Sequence, residues 1–173
     1  MDIIIRNVRK EDLPSVVDIK IKGWQVAYKG IVDDTYLTNL SNERETRIAK
    51  MEKNYMTNGF IVAELDNEVV GFCRYIFGNS FSPEIDDVDC ELCAIYVKPD
   101  LKRQGIGKEL FNYVIQEQKK NNNKNMILWC LKENSNSRKF YEKMGGNLYG
   151  ENEIEMGGKK YKKVGYRYDL SIL

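Results

Sequence analysis

The chain of 173 residues contains no histidine. That absence removes every catalytic triad in which imidazole is the base, and it removes a common metal ligand. Acid–base work must then fall to carboxylates, tyrosine, lysine, cysteine or water. An excess of either charge is lacking too: 27 Lys and Arg face 26 Asp and Glu, a net charge of +1. Such a balance gives no general attraction to nucleic acid or to an anionic membrane, so an anion has to be held by a local arrangement. No apolar stretch reaches about 18 residues, and Ile3-Ile4-Ile5 passes at once into polar residues. A protein that is neither secreted nor membrane-inserted is expected. Cysteine is scarce, and Cys73, Cys90, Cys93 and Cys130 lie in apolar, strand-like surroundings. They read as reduced packing thiols, which suits the cytoplasm. Cys90 and Cys93 have the spacing of half a zinc site, but there is no second pair, and on a strand they point to opposite faces. No metal is expected.

The length suits one domain, taken as 1–173. Residues 3–8 read as a strand, and Glu11-Asp12-Leu13-Pro14 opens a helix with acids and an early proline where its free N–H groups lie. A second helix is expected near Asp33 and a third from Ser41 or Asn42 through Met51. The apolar runs 60–65 and 69–77, joined by Asp66-Asn67-Glu68, signal a hairpin, and 88–97 a further strand. From Gly105 to Lys119 the apolar residues Ile106, Leu110, Phe111, Val114 and Ile115 recur at helical spacing. A strand at 126–131, a helix at 135–144 and two strands around Gly157-Gly158 complete the order. The expected fold is α+β: a central, mostly antiparallel sheet with one parallel β-α-β crossover at 88–131 and helices on both faces. The Tyr-rich last strand offers a way to pair across a homodimer.

The densest chemical signal is Val97-Lys98-Pro99-Asp100-Leu101-Lys102-Arg103-Gln104-Gly105-Ile106-Gly107-Lys108. Here a strand runs into a loop that opens the crossover helix. The first N–H groups of a helix lack intrahelical partners and carry partial positive charge, so they attract anions. Glycines at 105 and 107 allow close approach, and Lys102, Arg103 and Lys108 add formal charge. Two other phosphate motifs fail on spacing: the dinucleotide fingerprint needs a small residue where Leu110 stands, and the P-loop needs four residues between its glycines.

The run from Glu91 to Lys108 resembles the acetyl-coenzyme A motif of GNAT N-acetyltransferases, Gln/Arg-x-x-Gly-x-Gly/Ala, with Lys102 at its first position. Lysine there keeps the charge and loses the guanidinium fork. Asn134 to Gly145 resembles the family's next motif, in which Asn and Tyr stand seven residues apart, and Trp24 to Ile31 resembles an early segment of one bacterial branch. The resemblance implies acetyl-coenzyme A as cofactor, held by Ile95, Tyr96, Val97, Lys102, Arg103, Gln104, Gly105, Ile106, Gly107, Lys108, Asn134, Ser137 and Tyr141. The acceptor it implies is a primary amine of a small molecule or peptide, with Trp24 and Tyr28 in the acceptor pocket. An alkylammonium with a pKa of about 10.4 must lose its proton first, which costs about 4.6 kcal/mol at pH 7. Glu91 is the expected base, or the group that orients a basic water, and Tyr141 the acid that protonates the leaving thiolate. Backbone amides near Ile95 to Val97 are the expected donors to the carbonyl oxygen. Direct transfer is the simpler route, since no neighbour lowers a cysteine pKa. The reading of another class is a non-catalytic acyl-coenzyme A sensor or scaffold of the same fold.

Overall fold

The computed structural model describes residues 2–57, 59–78, 85 and 87–173. Among them the elements run β1 (Ile4–Asn7), α1 (Leu13–Ala27), α2 (Asp34–Asn39), α3 (Arg44–Glu52), β2 (Phe60–Leu65), β3 (Glu68–Phe77), β4 (Cys90–Val97), α4 (Ile106–Lys120), β5 (Asn125–Leu131), α5 (Ser135–Lys143), β6 (Asn147–Met156) and β7 (Lys159–Asp169). The sheet order is β1-β2-β3-β4-β5-β7-β6. β4 and β5 are parallel, as a strand–helix–strand crossover requires, whereas β1–β2, β2–β3, β5–β7 and β6–β7 are antiparallel. The α+β class expected from the element order is the one observed. Among the described residues no helix is long and apolar enough to cross a membrane.

Contacts divide the chain into two compact units, Met1–Arg74 with Ala94–Tyr113, and Tyr75–Cys93 with Val114–Leu173. In the first, Leu13, Val16 and Ile19 of α1 pack on Phe60, Val62, Val69 and Phe72 of the β2–β3 hairpin. Full burial of each such side chain contributes about 1.5–3 kcal/mol. The hairpin turn places Asp66 and Asn67 at φ 51° and 63°, the left-handed pair that matches strand twist and that Asp and Asn tolerate best. Arg6 of β1 grips the nearly buried Asp12 at the start of α1 through 2.7 and 3.0 Å bonds and also reaches Glu64 of β2. The third helix starts at Arg44, later than expected from Ser41 or Asn42. Leu40 is buried, and residues 40–43 close a tight 3-10 turn before α3 begins.

In the second unit β5 is buried without alternation at Met126, Ile127 and Leu128, as a strand covered on both faces should be. β4 begins at Cys90, not Val88. The Asp89 carboxylate is committed elsewhere, accepting from the amides of Lys124 and Asn125 at 2.7 and 3.1 Å. β7 lies between β5 and β6, hydrogen-bonded on both edges, with Tyr166 and Tyr168 fully buried. It therefore has no free edge, which corrects the expectation that the Tyr-rich strand pairs across a dimer. Of the acidic stretch 84–89, Glu84 and Asp86 lie outside the described residues.

Candidate active site

In the first unit the chain leaves β4 through a 3-10 turn at Pro99–Leu101 and turns twice with positive φ, at Arg103 (64°) and Gly105 (91°), before α4 begins. A left-handed arginine costs about 1–2 kcal/mol, strain of the kind kept where geometry serves a site. The first helical bond of α4 is Glu109 N–H to Gly105 O at 3.0 Å. The amides of Ile106, Gly107 and Lys108 precede it and have no acceptor inside the helix. Lys102, Arg103, Gln104 and Lys108 are exposed, and none of the three cations forms an ion pair with a described acid. The Cβ position of Gly105 meets nothing within 4 Å. An open mouth, amides without helical acceptors and unneutralised cations fit a polyphosphate.

Strand β4 is bonded to β5 only from Cys90↔Met126 to Leu92↔Leu128. Beyond it, Lys98 N–H donates to Val70 O of β3 at 2.9 Å. Peptide groups alternate along a strand, so Tyr96 also faces β3 and the amides that face away from β3 are those of Ile95 and Val97. The Tyr96 side chain serves something else. Its hydroxyl accepts a 2.7 Å bond from Trp24 Nε1, a side-chain bond joins it to Tyr28, and its ring stacks on Phe72 at 5.4 Å. Burial pushes the Tyr96 phenol up against the opposing effect of those two bonds. Gly23 of α1 makes room for this ring, since a Cβ there would sit 3.0 Å from it. Trp24 and Tyr28 meet edge to face at 5.1 Å. The two aromatic residues expected at the acceptor are thus held together by a third, Tyr96, whose hydroxyl sequence reasoning missed. Lys20, four residues before Trp24 on α1, was missed too, although the i, i+4, i+8 spacing of 20, 24 and 28 signals one helix face.

In the second unit Asn134 caps α5, its Oδ1 accepting from Ser137 N–H at 3.2 Å. Ser137 is thereby tied to the cap. The Asn134 side chain is nearly buried, and its Nδ2 donates to no described residue. Tyr141 stands two turns later on the same face. Its carbonyl accepts from Tyr168 Oη at 2.9 Å and from Gly146 N–H at 3.0 Å, which fixes its backbone. A Cβ on Gly146 would lie 2.7 Å from the Tyr168 hydroxyl, so glycine is required for this closure. The Tyr141 ring is tilted at 45° against Tyr166, 6.1 Å away. Tyr166 in turn donates to Glu142 at 2.7 Å and accepts from Arg138 at 3.0 Å. Glu91 is 4% exposed, at the register Glu91↔Ile127. Burial pushes the thiols of Cys90 and Cys130 up to about 12 and about 11, so neither is a thiolate nucleophile at neutral pH.

The fold is that of known acetyltransferases. The PaiA N-acetyltransferase of Thermoplasma acidophilum, solved with coenzyme A, superposes with TM-score 0.69 at 23% identity over 97% of this chain and all of its own. YncA of Salmonella typhimurium, solved with acetyl-coenzyme A, gives 0.68 at 18% identity over 97% and 94%. The profile of the acetyltransferase (GNAT) family matches residues 25–146, more than half of the chain, and the chain belongs to that family. An uncharacterized N-acetyltransferase of Bacillus subtilis, YuaI, is 27% identical over 99% of this chain and 96% of its own length. The spermidine N(1)-acetyltransferase of T. acidophilum is 26% identical over 84% and 88%.

Proposed function

We propose that the protein transfers the acetyl group of acetyl-coenzyme A directly to the nitrogen of a primary amine. The observation that carries this reading is the turn at 102–108. It offers the amides of Ile106, Gly107 and Lys108 together with three cations that no described acid neutralises. Lys102, Arg103 and Lys108, with Gln104 and Gly105 shaping the loop, bind the phosphates. Asn134 Nδ2 donates to an amide carbonyl of the pantetheine arm, and Ser137 holds the Asn134 side chain by its backbone. Bound acetyl-coenzyme A supplies an activated thioester. The amides of Ile95 and Val97 present donors where negative charge gathers on the acetyl oxygen.

Glu91 takes the ammonium proton, directly or through a water, and Tyr141 gives a proton to the departing sulfur. The raised thiols of Cys90 and Cys130 support transfer without an acyl-enzyme. Trp24 and Tyr28, steadied by Tyr96, form a wall for the acceptor. The reading treats 1–173 as one catalytic domain, because the family match runs through residues of both units. Free thiols at all four cysteines support a reducing, cytoplasmic setting. Calorimetry with acetyl-coenzyme A and a screen of amines for thiol release test it together. Binding that weakens as salt rises, with amine-dependent thiol release, is the expected result; no binding at millimolar cofactor overturns the reading.

A further inference from the structure

The face of α1 that carries Trp24 also carries Lys20, whose Nζ lies 6.0 Å from the indole centroid. The charges acting most on Lys20 are those of Arg47, Arg74 and Lys50, all positive; burial first and these cations second push its pKa down. The acids of α1 and α3 are engaged elsewhere: Asp18 and Glu45 with Arg44, Glu43 with Arg47, and Glu52 with Lys10. Arg74 lies on β3 and ends the first segment of this unit. It stands opposite Phe60 in the β2–β3 ladder with its guanidinium 5.8 Å from that ring. Its Nε is buried and has no hydrogen-bond partner among the described residues. A buried guanidinium N–H without an acceptor forfeits its hydration uncompensated unless a ligand supplies one.

Lys20 beside the indole and Arg74 with a buried donor left over, neither of them in an ion pair with a described acid, call for an anion. We propose that Lys20 and Arg74 form an anion site beside Trp24 that receives a carboxylate of the acceptor. The enzyme then acetylates an amine that also carries a negative charge, such as a free amino acid or short peptide, rather than a polyamine. This substrate class rests on the acetyl-transfer reading, but the anion site itself does not. A polycation such as spermidine, the acceptor in the name of one relative, would meet repulsion from Lys20 and Arg74 at this site.

Two measurements separate the claims. In the first, Trp129→Phe leaves Trp24 as the single tryptophan, and sodium sulfate is titrated into the protein at constant ionic strength while Trp24 fluorescence is followed. A saturable change with a midpoint of roughly 1–10 mM, weakened at least about 5-fold in both Lys20→Met and Arg74→Met, is expected. Sulfate held only by the 102–108 turn would be insensitive to those variants, and that result, or no saturable change, overturns the anion site. In the second, thiol release is compared for dipeptides, their C-terminal amides and spermidine. The free acids are expected to show kcat/KM at least about 10-fold above their amides, a ratio that falls below about 3-fold in Lys20→Met. Amides or spermidine used as well as the acids overturn the substrate class. Sulfate binding without acetylation of any amine sinks the transfer reading and leaves the site standing.

Discussion

The two compact units both pair some of their cations, but the one that holds the 102–108 turn gathers unpaired cations at that turn. In the unit that holds α5, Arg138 is bonded to Tyr166 and lies beside Glu142, Lys132 pairs with Glu151, and Arg167 pairs with Asp87. In the other, Arg6 and Arg44 are paired in the same way, yet Lys20, Arg74, Lys102, Arg103 and Lys108 form no ion pair with a described acid. Paired cations do structural work, and removing one leaves its partner exposed or buried alone. Cations gathered without counter-charge repel one another, and the arrangement makes sense where a ligand brings the missing charge.

The sharpest way to test the contrast is Tyr141→Phe in the unit that holds α5, which keeps the ring and removes the hydroxyl. kcat should fall by about 10²–10⁴ while the coenzyme A dissociation constant changes less than about 3-fold. Turnover at the wild-type rate would make Tyr141 structural; joint collapse of binding and turnover would remove the case for it as acid. Neutralising Lys102, Arg103 and Lys108 together should do the reverse, raising that dissociation constant by about 10- to 100-fold at low salt and flattening its salt dependence. Titration calorimetry at two ionic strengths checks this, with unchanged affinity placing the cofactor elsewhere.

Paired charges should register as stability instead. Asp12→Asn is expected to cost about 1–3 kcal/mol, because the Arg6 guanidinium loses one of its two carboxylate partners, the nearly buried one, and keeps Glu64. For Asp12, burial acts to raise the pKa, but the bonds from Arg6 and from the Arg9 amide outweigh it and the net shift is downward. A depressed carboxylate contributes stability above its unfolded pKa of about 4 and loses it as pH falls through the folded value. Denaturant titrations should therefore show the wild-type advantage over Asp12→Asn at pH 7 and its decline below about pH 4. The smallest effect belongs to Arg138→Met, about 1–2 kcal/mol through the lost bond to Tyr166, with cofactor affinity unchanged. A weakened cofactor site in that variant would blur the distinction between the units.

Local features of this protein were legible in the amino-acid order. The strand–turn–helix at 97–108, the seven-residue separation of Asn134 and Tyr141 and the Asp66-Asn67 hairpin each depend on neighbours within a turn or two. There, backbone geometry converts spacing directly into position. The start of α3 was misjudged because burial of Leu40 outweighed the capping preference of Ser41 and Asn42. Periodicity carries no record of which distant segments meet, so only the tertiary structure decided the rest. It inserted β7 between β5 and β6 and so closed the edge through which the Tyr-rich strand would have paired. It set Tyr96 against Trp24 across 72 positions of sequence. It also packed α1, which carries Lys20, against the β2–β3 hairpin that carries Arg74.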